Sequence, residues 1–207
     1  MLHQLFRFSV LIGLIFTIGC GYNASLKKGT VIAEKGMHVM PVSYEKGLLF
    51  VEVFINGQKK RFIIDSGAPN VVDDDLRQAL NLKKVTETGF KDSGSGSSRN
   101  EIVKIKSFKF GDVEIKNTVA AVIDFDKFTC FNIDGILGTN ILRLFDWKLD
   151  YANQEVSFFD ASQTESIIAK EGFSEYFPIK TNQQFTPFID VKYKDHAFSA
   201  MLDLGST

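Results

Sequence analysis

The sequence predicts a mainly β fold. Its 207 residues contain 20 Phe and only four Pro, which suits an aromatic-rich β core better than a disordered chain. The segment LLFVEVFING, residues 48–57, alternates apolar and polar residues in part and ends on Asn-Gly, a strong signal for a β-hairpin. A similar segment recurs near residue 188. The length allows one or two domains, each with a buried core.

The composition argues against two classes of function. The chain is 44% apolar and 24% charged, with a formal net charge of −1. Because there is no basic excess, we expect no nucleic-acid partner. The three histidines, His3, His38 and His196, are scattered along the sequence, and there is no Gly-rich phosphate loop. We therefore expect neither a metal site nor a cofactor.

The N-terminal residues predict an export signal. Arg7 precedes an apolar segment, residues 8–18, of about the length of a signal-peptide core. Thr-Ile-Gly-Cys at residues 17–20 resembles the lipobox of bacterial lipoproteins, where the signal is cut before the Cys and that Cys is acylated. The resemblance implies a signal peptide over residues 1–19, lipidation of Cys20, and attachment to the bacterial cell envelope on its periplasmic or extracellular face. A simple cleaved signal and an uncleaved anchor are the alternatives.

Residues 20–40 are polar and rich in Lys, which predicts a flexible tether behind the lipidated Cys20. The second cysteine, Cys130, lies in the apolar segment FTCFNI, which favours a buried and inert thiol. If Cys20 carries lipid, Cys130 has no partner for a disulfide.

The predicted hairpin has a second copy. Residues 188–203 repeat residues 50–65 at an offset of 138 with no gap, so that FVEV matches FIDV. Asp65 falls opposite Asp203, and each Asp is followed by X-Gly. Two hairpins of equal length that both end in apolar-apolar-Asp-X-Gly indicate an internal repeat. Two unrelated hairpins with a common type of turn are the alternative.

These segments resemble those of a known family. FIIDSGAPNVV, around Asp65, is similar to the active-site loop of aspartic peptidases of the pepsin and retropepsin group. DGILG at residues 134–138 resembles the segment that packs behind that loop, and residues 145–159 resemble the closing hairpin of a lobe. The resemblance implies an acid-protease, retropepsin-like closed β-barrel lobe, together with the beginning of a second similar lobe.

The same resemblance suggests a domain plan. We expect the first lobe at residues 41–160, an inter-lobe connection at residues 161–184, and the start of a second lobe at residues 185–207. Because only the first hairpin and loop of the second lobe are present, we expect the sequence to be part of a longer two-lobed protein.

The chemistry explains why two such loops are needed. Two carboxyl groups at hydrogen-bond range cannot both ionise, so the pair shares one proton. The ionised group then activates a water as general base, and the protonated group acts as acid toward the peptide bond. The resemblance implies Asp65 and Asp203 as this catalytic pair. The residues expected to support the two loops are Ser66, Gly67, Ala68, Gly205 and Ser206.

Two features of the family remain to be placed. The group covers its substrate with a Gly-rich flap, and residues 89–100 are the suitable stretch, with Gly94, Ser95 and Gly96 at its centre. An ordinary surface loop is the alternative for this stretch. Leu204 stands where the family usually has Thr or Ser, so a hydroxyl lock between the loops is expected from Ser66 alone.

Three functions are consistent with the sequence. The first is an aspartic endopeptidase anchored at the cell envelope that hydrolyses peptide bonds between Asp65 and Asp203. The second is a homodimeric protease in which two copies pair their Asp65 loops. The third is a non-catalytic lipoprotein that uses the same fold as a binding or structural module. The partners implied are a peptide or protein substrate and a membrane.

Overall fold

The structure, a computed structural model, describes residues 22–91, 97–125, 132–173, 175 and 177–206. The predicted signal peptide and lipidation site lie outside these residues, and so do the central flap residues Gly94, Ser95 and Gly96. Within the described part, no helix is long and apolar enough to cross a membrane.

Strands dominate the chain. In order they are β1 (Thr30–Ile32), β2 (Met37–Pro41), β3 (Ser43–Glu45), β4 (Leu48–Ile55), β5 (Gln58–Ile64), β6 (Val71–Asp73), β7 (Lys83–Lys91), β8 (Ser97–Phe110), β9 (Val113–Ile123), β10 (Gly135–Leu137), β11 (Asp146–Asp150), β12 (Glu155–Phe159), β13 (Lys180–Thr181), β14 (Pro187–Tyr193) and β15 (His196–Met201). The helices are α1 (22–26), α2 (Asp74–Ala79), α3 (Thr139–Leu142) and α4 (Thr164–Glu171), with a 3₁₀ turn at Ala161–Gln163 before α4.

Six strands close into a ring around the main core. Their order is β9, β6, β10, β5, β4 and β8, and β8 pairs with β9 to complete it. Fully buried side chains fill the ring, among them Phe62, Phe108 and Phe110, whose rings meet edge to face. The predicted mainly β class is confirmed.

The predicted hairpin forms between β4 and β5. Asn56 and Gly57 both have positive φ, at 49° and 88°, as a two-residue hairpin turn that follows the right-handed twist of its strands requires. The second hairpin, β14 and β15, pairs Phe188 with Met201 and Tyr193 with His196. The first pairs Phe50 with Ile63 and Ile55 with Gln58. The two hairpins therefore have the same register at the offset of 138.

Residues 22–40 pack onto the lobe instead of forming the expected tether. Tyr22 and Leu26 of α1 are 6% and 2% exposed, and each such burial contributes about 1.5 to 3 kcal/mol. Strand β1 pairs with β9, and β2 pairs with β12. The exposed Lys27 and Lys28 give the segment its polar character, while apolar residues one helical turn apart bury themselves.

A second, smaller sheet closes the lobe at one side. It contains β11, β12 and β2 in that order. Its aromatic residues pack on the main core, where Phe158 contacts Phe110 and Trp147 at ring-centroid distances of 4.9 Å and 5.1 Å. The hairpin of β11 and β12 is the one expected at residues 145–159, and β2 adds a strand that the domain plan had assigned to the tether.

Candidate active site

Asp65 lies immediately after β5, at the point where three strands meet. Strand β10 lies between β5 and β6, parallel to the first and antiparallel to the second. The backbone N–H of Asp65 donates to the carbonyl of Leu137 at 3.1 Å. The loop that joins β5 to β6 therefore passes over the end of β10, which fixes the position of Asp65.

The second glycine of DGILG is required by this crossing. A Cβ on Gly138 would lie 2.3 Å from the carbonyl carbon of Pro69 and 2.4 Å from the carbonyl oxygen of Ala68. Both are backbone atoms, so no side-chain movement relieves the clash. The next residue, Thr139, donates its N–H to the Ala68 carbonyl at 2.8 Å. The Asp65 loop and β10 thus touch through their backbones.

Two buried asparagines, which the sequence analysis missed, hold the loop from behind. Asn70 and Asn140 are both fully buried. The side-chain oxygen of Asn140 accepts from the Asn70 N–H at 2.6 Å, and that of Asn70 accepts from the Gly138 N–H at 2.8 Å. The Asn140 amide also donates to the carbonyl of Val119 at 3.1 Å. A polar residue inside the apolar run GILGTNILRLF was the available signal.

The Asp203 loop faces the Asp65 loop and interlocks with it. A Cβ on Gly67 would lie 2.8 Å from the carboxyl carbon of Asp203, and one on Gly205 would lie 2.4 Å from that of Asp65. Each glycine therefore leaves space for the carboxyl group of the opposite loop. The structure brings together the two Asp residues singled out in the sequence, although their hairpins are far apart in the chain.

Each carboxyl group is also held by its own loop. The Gly67 N–H donates to Asp65 Oδ1 at 2.6 Å, and the Gly205 N–H donates to Asp203 Oδ1 at 2.9 Å. The two loops therefore repeat each other in hydrogen bonding as well as in sequence.

Ser66 connects the two loops. Its hydroxyl donates to the carbonyl of Leu202 at 2.6 Å and accepts from the N–H of Leu204 at 3.0 Å. The Leu204 side chain packs, partly buried, against the main core. Among the described residues, the Ser66 hydroxyl thus makes the side-chain hydrogen bonds between the two loops. Leu204 contributes apolar contact instead. Ser206 donates to the Asp203 backbone carbonyl at 3.3 Å.

The surroundings of Asp65 favour its protonated form. The pKa of Asp65 is raised from an ordinary 3.8 to about 6, mainly by burial and also by the charge of the neighbouring Asp203 and a hydrogen bond shared with it. The N–H groups of Gly67 and Ala68 oppose this by donating to the Asp65 carboxylate. A carboxyl pair with a raised pKa on one member is the arrangement that retains one proton in mildly acidic solution.

An apolar cluster lies beside Asp65. Ile63 is two residues earlier in the chain, so it faces the same side of the strand. It packs with Leu48, Phe50 and the partly buried Ile136. This cluster is buried and lies along the strands that lead to the Asp65 loop.

The flanks of the expected flap form one long hairpin. Strands β7 and β8 pair from Lys83 with Lys104 to Lys91 with Ser97. Gly89 lies in β7, and the central flap residues lie outside the described residues. A cleft of about 580 Å³ elsewhere on the surface, along β4 and β5, is lined by residues such as Arg61 and Asp134 and is separate from the carboxyl pair. No cluster of three metal-binding side chains occurs among the residues described.

Comparison with solved structures finds similar folds. A retropepsin-like aspartic protease from Rickettsia conorii is 20% identical, with a TM-score of 0.45, and the match covers 63% of this chain and 94% of that one. Two seed proteins, conglutin gamma from lupine and basic 7S globulin from soybean, are each 13% identical, with TM-scores of 0.45 and 0.48. Each of those matches covers 76% of this chain, and they span 60% and 58% of the two seed proteins. No curated protein matches the sequence significantly.

Comparison with protein families gives a match at the site itself. Residues 51–141 match the sequence profile of the aspartyl protease family. The matched range contains most of the hairpin β4–β5, the Asp65 loop, the hairpin β7–β8 and β10, whereas the Asp203 loop lies outside it. The match lies within the first lobe of this chain, which is therefore similar to the aspartyl protease family over the residues that form the Asp65 loop.

Proposed function

We propose that the protein is an aspartic endopeptidase that hydrolyses peptide bonds with the Asp65–Asp203 pair. One observation carries the proposal: two Asp-X-Gly loops from separate hairpins interlock, so that each glycine faces the carboxyl group of the other loop. A fold kept only for binding does not need two carboxyl groups at hydrogen-bond range, because burying them together is costly.

The pKa of Asp65 assigns the two roles. Burial raises the pKa of Asp65, which favours Asp65 as the member that holds the shared proton, and the role of general base then falls to Asp203. A water oxygen attacks the peptide carbonyl carbon while Asp203 accepts a proton from that water. Asp65 donates its own proton to the carbonyl oxygen in the same step. The tetrahedral diol then returns a proton to Asp65. Asp203 protonates the leaving nitrogen, and the carbon–nitrogen bond breaks.

We also propose that acyl chains on Cys20 anchor the protein at the bacterial cell envelope. The support is the lipobox-like TIGC after an apolar core of signal-peptide length.

The homodimeric alternative would need a second Asp65 loop where the chain's own Asp203 loop lies, which favours pairing within one chain. The non-catalytic alternative is separated from the enzyme by the following test.

Cleavage of a quenched fluorescent peptide library between about pH 4 and pH 7 tests the function. Asp65→Asn and Asp203→Asn should each abolish cleavage. Asp195→Asn, the same chemical change in the exposed turn of the second hairpin, is the matched control and should retain it. Equal cleavage by Asp65→Asn and the unmodified protein would refute the proposal, and the absence of cleavage by the unmodified protein would favour the binding module.

A further inference from the structure

We infer that the lobe lies directly against the bilayer that carries its anchor, and that its substrates are peptide segments at the membrane surface. This rests on the proposed acylation of Cys20. The inference concerns the face of the lobe around α1 and β1, called here the N-terminal face, and its partner is the headgroup layer of that bilayer.

The first observation is that α1 is firmly held. Tyr22, Ser25 and Leu26 are each at most 6% exposed. Tyr22 and Leu26 belong to a buried cluster that includes strand residues of the first lobe and Phe185 of the connection toward the second hairpin. The Asn23 amide also donates to the Gln183 side chain at 2.7 Å. The start of the described chain is thus part of the packed lobe.

The second observation is the spacing in the sequence. Gly21 alone separates Cys20 from Tyr22, and two steps of extended chain span at most about 7 Å. The headgroup layer on one side of a bilayer is roughly 5 to 8 Å thick. An acylated Cys20 at that layer therefore brings α1 into contact with it. A free tether of about 20 residues would instead reach on the order of 70 Å at full extension.

The third observation is the chemistry of the N-terminal face. Lys27 and Lys28 follow α1 directly and are exposed. Val31 and Ile32 of β1 are 37% and 47% exposed, although both are apolar. Cations beside exposed apolar side chains suit an anionic headgroup layer. The exposed Glu34 is the acidic residue next along the chain, two positions beyond β1.

The N-terminal face is also linked to the active site by direct contacts. The Arg143 side chain donates to the carbonyl of Lys27 at 3.1 Å and lies over the ring of Phe185. Thr139, four residues earlier, donates its hydroxyl to the carbonyl of Gln184 at 2.6 Å. The N–H of the same Thr139 holds the Ala68 carbonyl, three residues after Asp65. A lobe fixed at its N-terminal face therefore holds its carboxyl pair at a constant height above the membrane.

The test uses the acylated chain on a supported bilayer of phosphatidylethanolamine and phosphatidylglycerol, with neutron reflectometry measuring the gap between headgroups and protein. We expect no resolvable water gap for the unmodified chain. Insertion of about 20 Gly and Ser residues between Gly21 and Tyr22 should open a gap on the order of 25 Å. The matched control carries the same insertion in the exposed turn between β11 and β12, after Ala152, and should show no gap. A gap of similar size in the unmodified chain would overturn the inference.

A second variant tests whether packing of α1 is responsible. Leu26→Ser should loosen α1 while leaving the main ring core intact, because Leu26 belongs to the separate cluster of the N-terminal face. Trypsin should then cut after Lys27 or Lys28 and release the lobe from vesicles at least about tenfold faster than from the unmodified chain. Equal release rates for both proteins would contradict the inference.

A cleavage assay separates this inference from the proposed function. Vesicle-anchored peptides carry the same site either next to the bilayer or beyond a long spacer. The unmodified chain should cut the near site faster, and the insertion at Gly21 should remove that preference. If neither site is cut but the gap results hold, the proteolytic function fails and the placement of the lobe stands. If both sites are cut equally and the gap is already open, the placement fails and the function stands.

Discussion

The two hairpins that carry Asp65 and Asp203 have the same register but very different surroundings. Strand β4 is buried at six of its eight residues, and β5 ends in three buried ones. In the second hairpin, no residue of β14 or β15 is fully buried. The pairing pattern is therefore set locally by strand sequence and turn position, whereas burial depends on the rest of a lobe. The first hairpin has that lobe around it.

The two loops differ in the same way. The Asp65 loop is held by β10, by the Asn70–Asn140 pair and by Thr139. The hydrogen bonds described for the Asp203 loop run to Ser66, to the carbonyl of Pro187 in its own hairpin, and within the loop itself. The position of the Asp65 loop is thus set by the first lobe, and the Asp203 loop is held mainly by its contacts with the Asp65 loop. Four variants test this difference, and they are taken from the largest expected effect to the smallest.

Gly138→Ala should remove the support of the first loop. The added Cβ would lie 2.3 Å from backbone atoms of Pro69, so the loop or β10 must move. We expect a loss of more than about 3 kcal/mol in the free energy of unfolding, or failure to fold. Gly89→Ala in β7 is the control, since nothing lies within 4 Å of its Cβ position. Equal chemical denaturation midpoints for the two variants would contradict this account of the loop.

Asp65→Asn should make stability less dependent on pH. The pKa of Asp65 is about 6 in the folded chain and near 3.8 unfolded, so the folded chain binds more protons between these values. Stability from this group is therefore present at low pH and lost as pH rises through about 6. At about pH 7.5 the variant should be more stable than the unmodified chain by on the order of 2 to 3 kcal/mol, and near pH 4 the two should agree.

Urea denaturation at both pH values measures this effect without any substrate. Asp195→Asn removes a carboxyl group from an exposed turn and serves as the control, with little expected change at either pH. If Asp65→Asn gives the same difference from the unmodified chain at both pH values, the proton is not held by Asp65.

The sequence predicts the local features of this site and misses the ones that depend on distant partners. Asn56-Gly57 sets the first turn, and Asp-X-Gly at a strand end identifies both loops, because these depend on backbone conformations within a few residues. The docking of α1 could not be predicted in this way, since Tyr22 and Leu26 bury against strands far along the chain. The polar Lys27 and Lys28 made the segment resemble a tether.

The buried asparagines show the same limit. Asn70 and Asn140 are separated by 70 residues, and only the crossing of β10 under the loop brings them together. In sequence, each is an ordinary polar residue near a turn. Their role depends on how many backbone groups of the loop are left without partners, and that is known only when the loop and β10 are both in place.

Ser66→Ala should weaken the connection between the loops. It removes one hydrogen bond to Leu202 and one from Leu204, and its position is 9% exposed. We expect a loss of about 1 to 2 kcal/mol in the free energy of unfolding, with faster amide hydrogen exchange at Leu204 and Gly205. Ser66→Thr keeps the hydroxyl, so it should largely preserve the free energy of unfolding and the slow amide exchange. If Ser66→Thr is as damaging as Ser66→Ala, the hydroxyl is not what joins the loops.

The smallest effect concerns the turn of the second hairpin. Lys194 has a φ of 55°, a left-handed conformation that costs a residue with a Cβ about 1 kcal/mol. Lys194→Gly should slow amide exchange in β14 and β15 severalfold, because the strain it removes exceeds the extra freedom that glycine brings to the unfolded chain. In the first hairpin, Asn56→Gly should speed exchange instead, because Asn tolerates a φ of 49° and its side-chain oxygen accepts from the Ser107 N–H at 3.0 Å. Since β14 and β15 lack a buried core, their exchange rates should respond to the turn directly. Unchanged exchange in Lys194→Gly would mean that packing against the Asp65 loop, rather than the turn, stabilises the second hairpin.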